Sequence, residues 1–207
     1  FIDHVTDIGC TRSAKLGEWA QFETSSITSQ SSVAKDLYSG IYKTAGRIHL
    51  VLDNLDNLKD KVEEDVFYQF KAELLCLRAF VYDLGCQYYG DIQFIDHCLT
   101  LDDYAYPRVP REEVTARLLK DLDDELLDHL PIAWPKGEWG TVRFGRVAAY
   151  MLKARICLNW GMYEDAAFYS KKALDLADGI YSLTPLDCTY YATALDGEPT
   201  PVRLDLL

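Results

Sequence analysis

The chain has 207 residues, of which 49% are hydrophobic and 26% charged, so it can bury a core without disulfide or metal support. Its formal net charge is −12, which repels phosphate backbones and argues against nucleic acid as a partner. The same charge disfavours binding to anionic lipid, and no stretch has the roughly 18 apolar residues of a membrane span. None of the six cysteines forms a CxxC pair or a zinc-spaced cluster, so we expect buried free thiols.

Helical periodicity begins after a polar, loop-rich segment at residues 1–34. Apolar residues recur at three- and four-residue steps over residues 35–58 and again over residues 66–88. Gly90 follows directly, where a glycine that ends a helix is expected. Two long amphipathic helices joined by a short polar break predict an antiparallel helical hairpin.

Three further helices are predicted in the second half of the chain. The first spans residues 111–130 and is ended by Pro131, and a loop of residues 131–145 follows it. The next two, at residues 147–160 and 162–178, are joined by a turn at Gly161. From residue 184 onward, three prolines favour a loop over another long helix.

Small residues recur in the last of these helices. Ala166, Ala173 and Ala177 allow close helix approach, and the run from Gly161 to Leu174 resembles the second helix of a tetratricopeptide hairpin. The predicted fold class is therefore all-α, with tetratricopeptide-like helical hairpins packed as an α-α superhelix with long loops. We expect one domain over residues 1–207, made of three parts: a loop-rich segment 1–34, helical hairpins 35–183, and a loop-rich segment 184–207 that begins a C-terminal part lying beyond this chain.

No catalytic motif is present in the sequence. The chain has no GxGxxG, Walker, GxSxG or HExxH pattern, and its four histidines lie far apart. We therefore predict no catalytic residue, no metal site and no cofactor. Glu73 and Arg78 stand within an apolar helical run, where charges usually pair with a neighbouring helix or contact a helix end.

The same helical run resembles a known family. The residues Ala72-Glu73, Leu77-Arg78-Ala79, Tyr82 and Tyr88-Tyr89-Gly90-Asp91-Ile92 are similar to the "AEA-x-x-LRA-x-x-Y…YGD-V-P" signature of the SusD/RagB family. Further stretches resemble family motifs in the same order, at residues 42–54, 107–131, 140–155 and 180–183. Three positions depart from the family pattern: Gln93 replaces a proline, His49 an asparagine and Arg143 a threonine.

The resemblance implies a non-catalytic function. Family members are outer-membrane lipoproteins that bind glycans or other nutrients at the bacterial cell surface and pass them to a SusC-like TonB-dependent transporter. The resemblance thus implies two partners, the transporter and an oligosaccharide, and attachment to the membrane only through a lipid anchor. We expect that anchor to be absent from this chain, because Cys10 lacks the apolar run that precedes a lipidation site.

The ligand site in this family lies in variable loops. Sugar recognition needs flat aromatic rings together with planar polar groups. The loop candidates for ligand binding are Trp19 with Arg12, and Trp134 with Trp139. For each pair, packing against the helices is the competing interpretation. A peptide-binding scaffold of the tetratricopeptide type is the alternative function.

Overall fold

The computed structural model describes residues 28–103, 105–135 and 143–181, together with the backbone of two short strands. Apart from the two short strands, the fold of this part of the chain is all-α and tetratricopeptide-like, as predicted. The elements in chain order are α1 (Ser32–Leu52), a 3₁₀ helix (Leu55–Leu58), α2 (Glu64–Tyr89), α3 (Arg111–Asp121), α4 (Asp124–Leu127), α5 (Arg146–Asn159), α6 (Tyr163–Ala177), β1 (Tyr190–Thr193) and β2 (Pro199–Val202).

Helix α2 is the centre of the core. Ala72, Cys76 and Ala79 are fully buried at steps of four and three residues, so small side chains let neighbouring helices approach closely. Helix α1 packs on α2 through a matching stripe that includes Ile41, Ala45 and Ile48. The predicted hairpin is confirmed.

Loop residues after α2 tie the two helices together. Gly90 ends α2, as predicted. Its φ of 68° is a backbone conformation that residues other than glycine rarely adopt. The Tyr42 hydroxyl donates to the Gln93 carbonyl at 2.9 Å, and Tyr89 donates to the Ala34 carbonyl at 2.5 Å. The chain then forms a single antiparallel bridge between Ile92 and Val109.

The prediction of one continuous helix over residues 111–130 was wrong. Helix α3 ends at Asp121, and a separate turn of helix begins at Asp124. The Asp123 side chain accepts from the backbone N–H of Glu125 and Leu126, which is the usual cap of a helix start. Opening the helix here frees the Leu122 carbonyl, which accepts from the buried Lys153 ammonium at 2.7 Å.

Helices α5 and α6 form the second hairpin, within two residues of the predicted bounds. Ala149 and Ala173 are buried in the core, where small side chains let helices approach closely. The Tyr150 and Tyr169 rings stack with their centroids 6.2 Å apart.

Two short strands lie within residues 184–207, the segment that the sequence predicts to be rich in loops and without another long helix. Strands β1 and β2 pair antiparallel, with Tyr190 opposite Val202 and Thr193 opposite Pro199. Pro199 and Pro201 are two residues apart, so their missing N–H groups fall on the same edge of β2. That spacing leaves the intervening Thr200 N–H free for a ladder, and for this reason the prolines do not exclude a strand.

Three cysteines are buried in the helices as free thiols, as expected from the sequence. Cys76, Cys86 and Cys157 are all closed off from solvent. Burial raises the pKa of the Cys76 and Cys86 thiols to about 12, so both remain protonated and unreactive at neutral pH.

A buried histidine predicts acid sensitivity. The His49 side chain has no exposed surface, and this burial is the main reason why its pKa is lowered. The nearby Arg78 charge lowers the pKa further, while the Asp53 and Asp96 charges partly oppose the change. The unfolded chain therefore binds a proton near pH 6.5 that the folded chain does not, so stability falls as pH drops below that value. We expect up to about 1.4 kcal/mol to be lost per pH unit from this group.

Urea unfolding of the wild type and of His49→Phe between pH 7.5 and 5 tests this expectation. The variant should lose less stability than the wild type as the pH falls. His97→Gln is the matched control, because the Asp96 hydrogen bond raises the pKa of His97 and gives the opposite pH dependence. Parallel pH profiles for wild type and His49→Phe would contradict the assignment.

Candidate functional site

A cleft of about 1100 Å³ opens on the surface of the helical bundle. It lies between the end of α1 with the 3₁₀ helix, the first half of α2, and α3–α4. Its lining combines acids, bases and aromatic rings, and we refer to it as the charged cleft. The lining residues that carry charge or a ring are Asp56, Glu64, Asp65, Phe67, Tyr68, Lys71, Arg78, Phe94, Asp96, Arg117, Lys120, Asp121, Asp123, Glu125 and His129.

An ion pair forms the inner wall of the charged cleft. Arg78 on α2 donates to the Asp121 carboxylate at the end of α3, with an Nη2–Oδ2 distance of 2.6 Å and an Nε–Oδ2 distance of 2.9 Å. Their side chains are only 12% and 17% exposed. Burial raises the pKa of Asp121 above its usual value, although the Arg78 charge opposes part of this rise. The two-point contact fixes α2 to α3 at this position.

Aromatic rings line two further sides. The Phe94 ring lies under the guanidinium groups of Arg78 and Arg117, whose Cζ atoms are 5.9 and 5.2 Å from its centroid. On the opposite side, the Tyr68 ring stacks on His129 with centroids 4.7 Å apart. These contacts hold the side chains in fixed positions, so the cleft is preformed.

Charged groups at the mouth of the cleft include both signs. Asp65 at the rim contacts the His129 ring, with Oδ1 and Nδ1 2.9 Å apart. Lys71 is half-buried and has no carboxylate within ion-pairing distance among the described residues. Ammonium groups can donate and carboxylates can accept hydrogen bonds, so the cleft suits a ligand rich in hydroxyl groups. No cluster of metal-ligating side chains occurs within the described ranges.

Trp134 lies away from the charged cleft. Its indole N–H donates to the Phe144 carbonyl at 2.8 Å. The Arg143 guanidinium stacks on its ring, with Cζ 3.4 Å from the centroid. Arg143 in turn makes a bidentate ion pair with Glu73, at 2.6 and 3.0 Å. Trp134 is thus half-buried, with one ring face and its N–H already in contact with protein.

The other proposed ligand-binding residues cannot be placed. Arg12, Trp19 and Trp139 lie outside the described residues, so the structure does not test whether Trp139 joins Trp134. The loop-aromatic site therefore remains a prediction. The sequence gives no local signal for the charged cleft. Tyr68 and His129, whose rings stack in it, are 61 positions apart in the chain, and no local motif links them.

No helix among the described residues is long and apolar enough to cross a membrane. The described residues thus form a tetratricopeptide-like scaffold of tightly packed helical hairpins with an open cleft on one side.

Comparison with family models identifies the family. The model of the SusD-like family described as "Starch-binding associating with outer membrane" matches residues 4–158, most of the chain. The chain belongs to this SusD-like family. A comparison with curated proteins finds no match.

Several solved structures have the same fold. A SusD-like protein from Bacteroides fragilis superposes with a TM-score of 0.68 at 23% identity, over 80% of this chain and 31% of that one. A laminarin-binding SusD-like protein gives 0.63 at 22% identity, over 74% and 32%. Surface glycan-binding protein A from Bacteroides fluxus gives 0.62 at 22%, over 72% and 31%. The chain thus spans about a third of the length of these structures.

Proposed function

We propose that this chain is the helical portion of a non-catalytic protein that binds glycans, or other nutrients, at the bacterial cell surface. The protein would be held on the outer membrane by a lipid anchor and would deliver its ligand to a partner TonB-dependent, SusC-like transporter. Membership of the starch-binding SusD-like family over residues 4–158 is the observation that carries the proposal.

The chemistry of the charged cleft supports a sugar ligand. A neutral oligosaccharide presents hydroxyl groups that both donate and accept, so it can bond to carboxylates and ammonium groups without bringing a charge out of water. Its C–H faces pack on rings such as Tyr68. An acidic glycan would meet the acids at the cleft rim in a chain whose formal charge is −12, so it is the weaker candidate.

Two groups of residues are candidates for ligand contact in this proposal. One is the charged cleft, centred on Tyr68 and Lys71. The other is the loop set predicted from the sequence, Arg12, Trp19, Trp134 and Trp139. Single substitutions can separate the two, because Tyr68 and Trp134 line different parts of the molecule.

Affinity electrophoresis of the full-length protein in gels containing neutral polysaccharides tests the function and its location. Tyr68→Ala should weaken retardation by about tenfold in apparent Kd if the cleft binds the glycan, since an aromatic platform contributes on the order of 1 kcal/mol or more. Tyr163→Ala is the matched control, because Tyr163 is an exposed tyrosine on α6 that does not line the cleft. Loss of retardation in Trp134→Ala, with Tyr68→Ala unchanged, would assign binding to the loops.

Peptide binding is the outcome that would replace this proposal. If the full-length protein is retarded by no glycan and binds an extended peptide instead, the tetratricopeptide scaffold function is correct and the glycan-binding proposal is wrong.

A further inference from the structure

The charged cleft is elongated, and its two ends are built from different side chains. At one end, which we call the tyrosine end, the Tyr68 and His129 rings stack and Asp65 contacts the imidazole. At the other, which we call the arginine end, the Arg117 guanidinium lies over the Phe94 ring. These residues all line one cavity, so a single ligand can contact both ends.

Helix α2 sets the distance between the two ends. Tyr68, Lys71 and Arg78 all lie on this helix and line the cleft. Because an α-helix rises about 1.5 Å per residue, the Tyr68 and Arg78 backbones are roughly 15 Å apart along its axis. Lys71 lies between them, about one turn beyond Tyr68, so polar groups continue along the cleft.

The opposite wall extends the cleft as far as Arg78 or beyond it. The α3–α4 stretch runs antiparallel to α2, since Asp121 pairs with Arg78 and His129 contacts Asp65. Arg117 lies about one turn before Asp121 on α3, and its guanidinium lies against the same phenylalanine ring as that of Arg78. The arginine end is therefore at least as far from the tyrosine end as Arg78 is.

The two ends offer different hydrogen-bonding groups to a ligand. The exposed carboxylates of Glu64 and Asp65 accept at the tyrosine end, whereas Arg117 and Lys120 can only donate at the arginine end. Arg117 pairs with Glu113 through one of its N–H groups, and no ion pair involves Lys120 in the described part of the chain. A hydroxyl can donate to the carboxylates and accept from the cations, so a polyhydroxylated chain can bond at both ends.

A single sugar ring cannot contact both ends of the cleft. Small-molecule pockets enclose roughly 300–1,000 Å³, whereas this cleft has about 1100 Å³. A monosaccharide or disaccharide placed on Tyr68 would leave Arg117 and Lys120 in water. A chain of several units covers the span, and a neutral chain does so without bringing a further charge out of water.

We infer that the charged cleft has two subsites and takes a linear oligosaccharide, with one sugar ring on Tyr68 and a more distant unit bonded to Arg117 and Lys120. The inference rests on the proposed function and adds the feature that the cleft selects, which is chain length. Once one end of the chain is bound, binding at the other end is intramolecular and has a high effective concentration. Affinity therefore rises with chain length until the chain reaches the arginine end, and then stays level.

A size ladder in the full-length protein tests the inference. The probes are oligomers from the disaccharide to the octasaccharide, cut from the neutral polysaccharide that retards the protein in the gel assay, and isothermal titration measures their Kd. We expect the hexasaccharide to bind at least about tenfold more tightly than the disaccharide, with no further gain at the octasaccharide. A disaccharide that binds as tightly as the hexasaccharide would overturn the inference.

A matched pair of double variants locates the second subsite. Arg117→Met with Lys120→Met should weaken hexasaccharide binding about tenfold and leave disaccharide binding unchanged, because the disaccharide does not reach these cations. Lys43→Met with Arg47→Met is the control. Lys43 and Arg47 are exposed on α1, line no part of the cleft and take part in no ion pair among the described residues, so this variant removes the same charge elsewhere. Equal hexasaccharide affinities in both double variants would contradict the inference.

Failure of this inference and failure of the proposed function give different results. If no polysaccharide retards the protein, the proposed function is wrong and the two subsites are wrong with it. If glycans bind but Tyr68→Ala leaves every member of the ladder unchanged, the proposed function stands and the two-subsite cleft is wrong. If Tyr68→Ala weakens the disaccharide and the hexasaccharide alike, while the cleft double variant weakens only the hexasaccharide, both are supported.

Discussion

Replacement of Lys153 by methionine is expected to lower the free energy of unfolding by about 3 kcal/mol. The ammonium group is buried where α5 meets the α3–α4 break, and it donates to the Leu122 carbonyl at 2.7 Å and to Asp124 at 2.6 Å. Methionine fills the space of the aliphatic part of the lysine side chain but cannot donate a hydrogen bond to the Leu122 carbonyl. Because Leu122 is fully buried, water cannot replace the missing donor. An unsatisfied buried carbonyl costs about 1–3 kcal/mol, and loss of the bond to a charged group adds to it.

The surrounding network places one carboxylate between two lysines. Lys172 also donates to Asp124, at 2.8 Å, and the rings of Tyr150 and Tyr169 lie within 4.2 Å of the two ammonium groups. Burial alone would raise the pKa of Asp124, but its bonds to both lysines lower it instead. The carboxylate is therefore ionised at neutral pH and holds the α3–α4 break against α5 and α6.

Urea unfolding of the wild type, Lys153→Met and Lys171→Met measures this contribution. Lys171 is the control, because its ion pair with Asp175 is 77% and 64% exposed and contributes little. We expect a clear fall in the midpoint for Lys153→Met alone. Equal midpoints for all three proteins would show that the break is held by helix packing and not by this donor.

Substitution of Arg78 by methionine is expected to cost about 2–4 kcal/mol of folding stability. The guanidinium bonds to Asp121 in a pair that is mostly shielded from water. Without it, burial is the dominant influence on that carboxylate, so its pKa rises further. The variant should therefore be least stable relative to wild type at high pH, where the unpaired Asp121 must be ionised.

A double-mutant cycle with Asp121→Asn isolates the pair. We expect the double variant to be more stable than the sum of the single losses predicts, because removing both charges leaves neither unpaired. Arg117→Met is the matched control: Arg117 also lies on the Phe94 ring, but its partner Glu113 and its own side chain are about half exposed. Additive losses in the cycle would contradict a direct coupling between Arg78 and Asp121.

The sequence was sufficient to predict three of the long helices, because their apolar spacing is determined locally. Helices α2, α5 and α6 begin and end within two residues of the predicted bounds, and Gly90 and Gly161 occupy the expected positive-φ positions. The predicted pairing with a neighbouring helix is confirmed for Arg78, which contacts Asp121 on α3, whereas the partner of Glu73 is Arg143 in the loop before α5. Neither partner could be named from the sequence. Each partner is more than forty residues away in the chain.

The α3–α4 break could not be predicted for a related reason. Leu118, Leu122 and Leu126 keep a helical period across it, so local spacing favoured one helix. The decisive group, Lys153, lies 31 residues further along the chain. Two positions that depart from the family pattern also make contacts with distant parts of the chain. Gln93 accepts the Tyr42 hydroxyl, and Arg143 pairs with Glu73, so both contribute tertiary contacts that no local motif encodes.

The charged cleft was not predicted from the sequence, and the predicted loop site remains untested. Sequence resemblance indicated a glycan-binding protein without catalytic residues and directed attention to loop aromatics. Of these, only Trp134 lies within the described residues, and there its ring and N–H pack against Arg143 and Phe144. The charged cleft arises from side chains on three separate parts of the fold, so its existence depends on packing that the sequence pattern does not specify.

Glycan binding by the full-length protein is the measurement that tests the central claim most directly. Isothermal titration with a panel of neutral and acidic oligosaccharides should give saturable binding of at least one neutral oligosaccharide, with no change in the sugar's length or linkage after incubation. Loss of that binding in Tyr68→Ala, but not in Tyr163→Ala, would place it in the charged cleft. Absence of binding to every glycan in the panel by the folded full-length protein, or cleavage of any of them, would contradict the account.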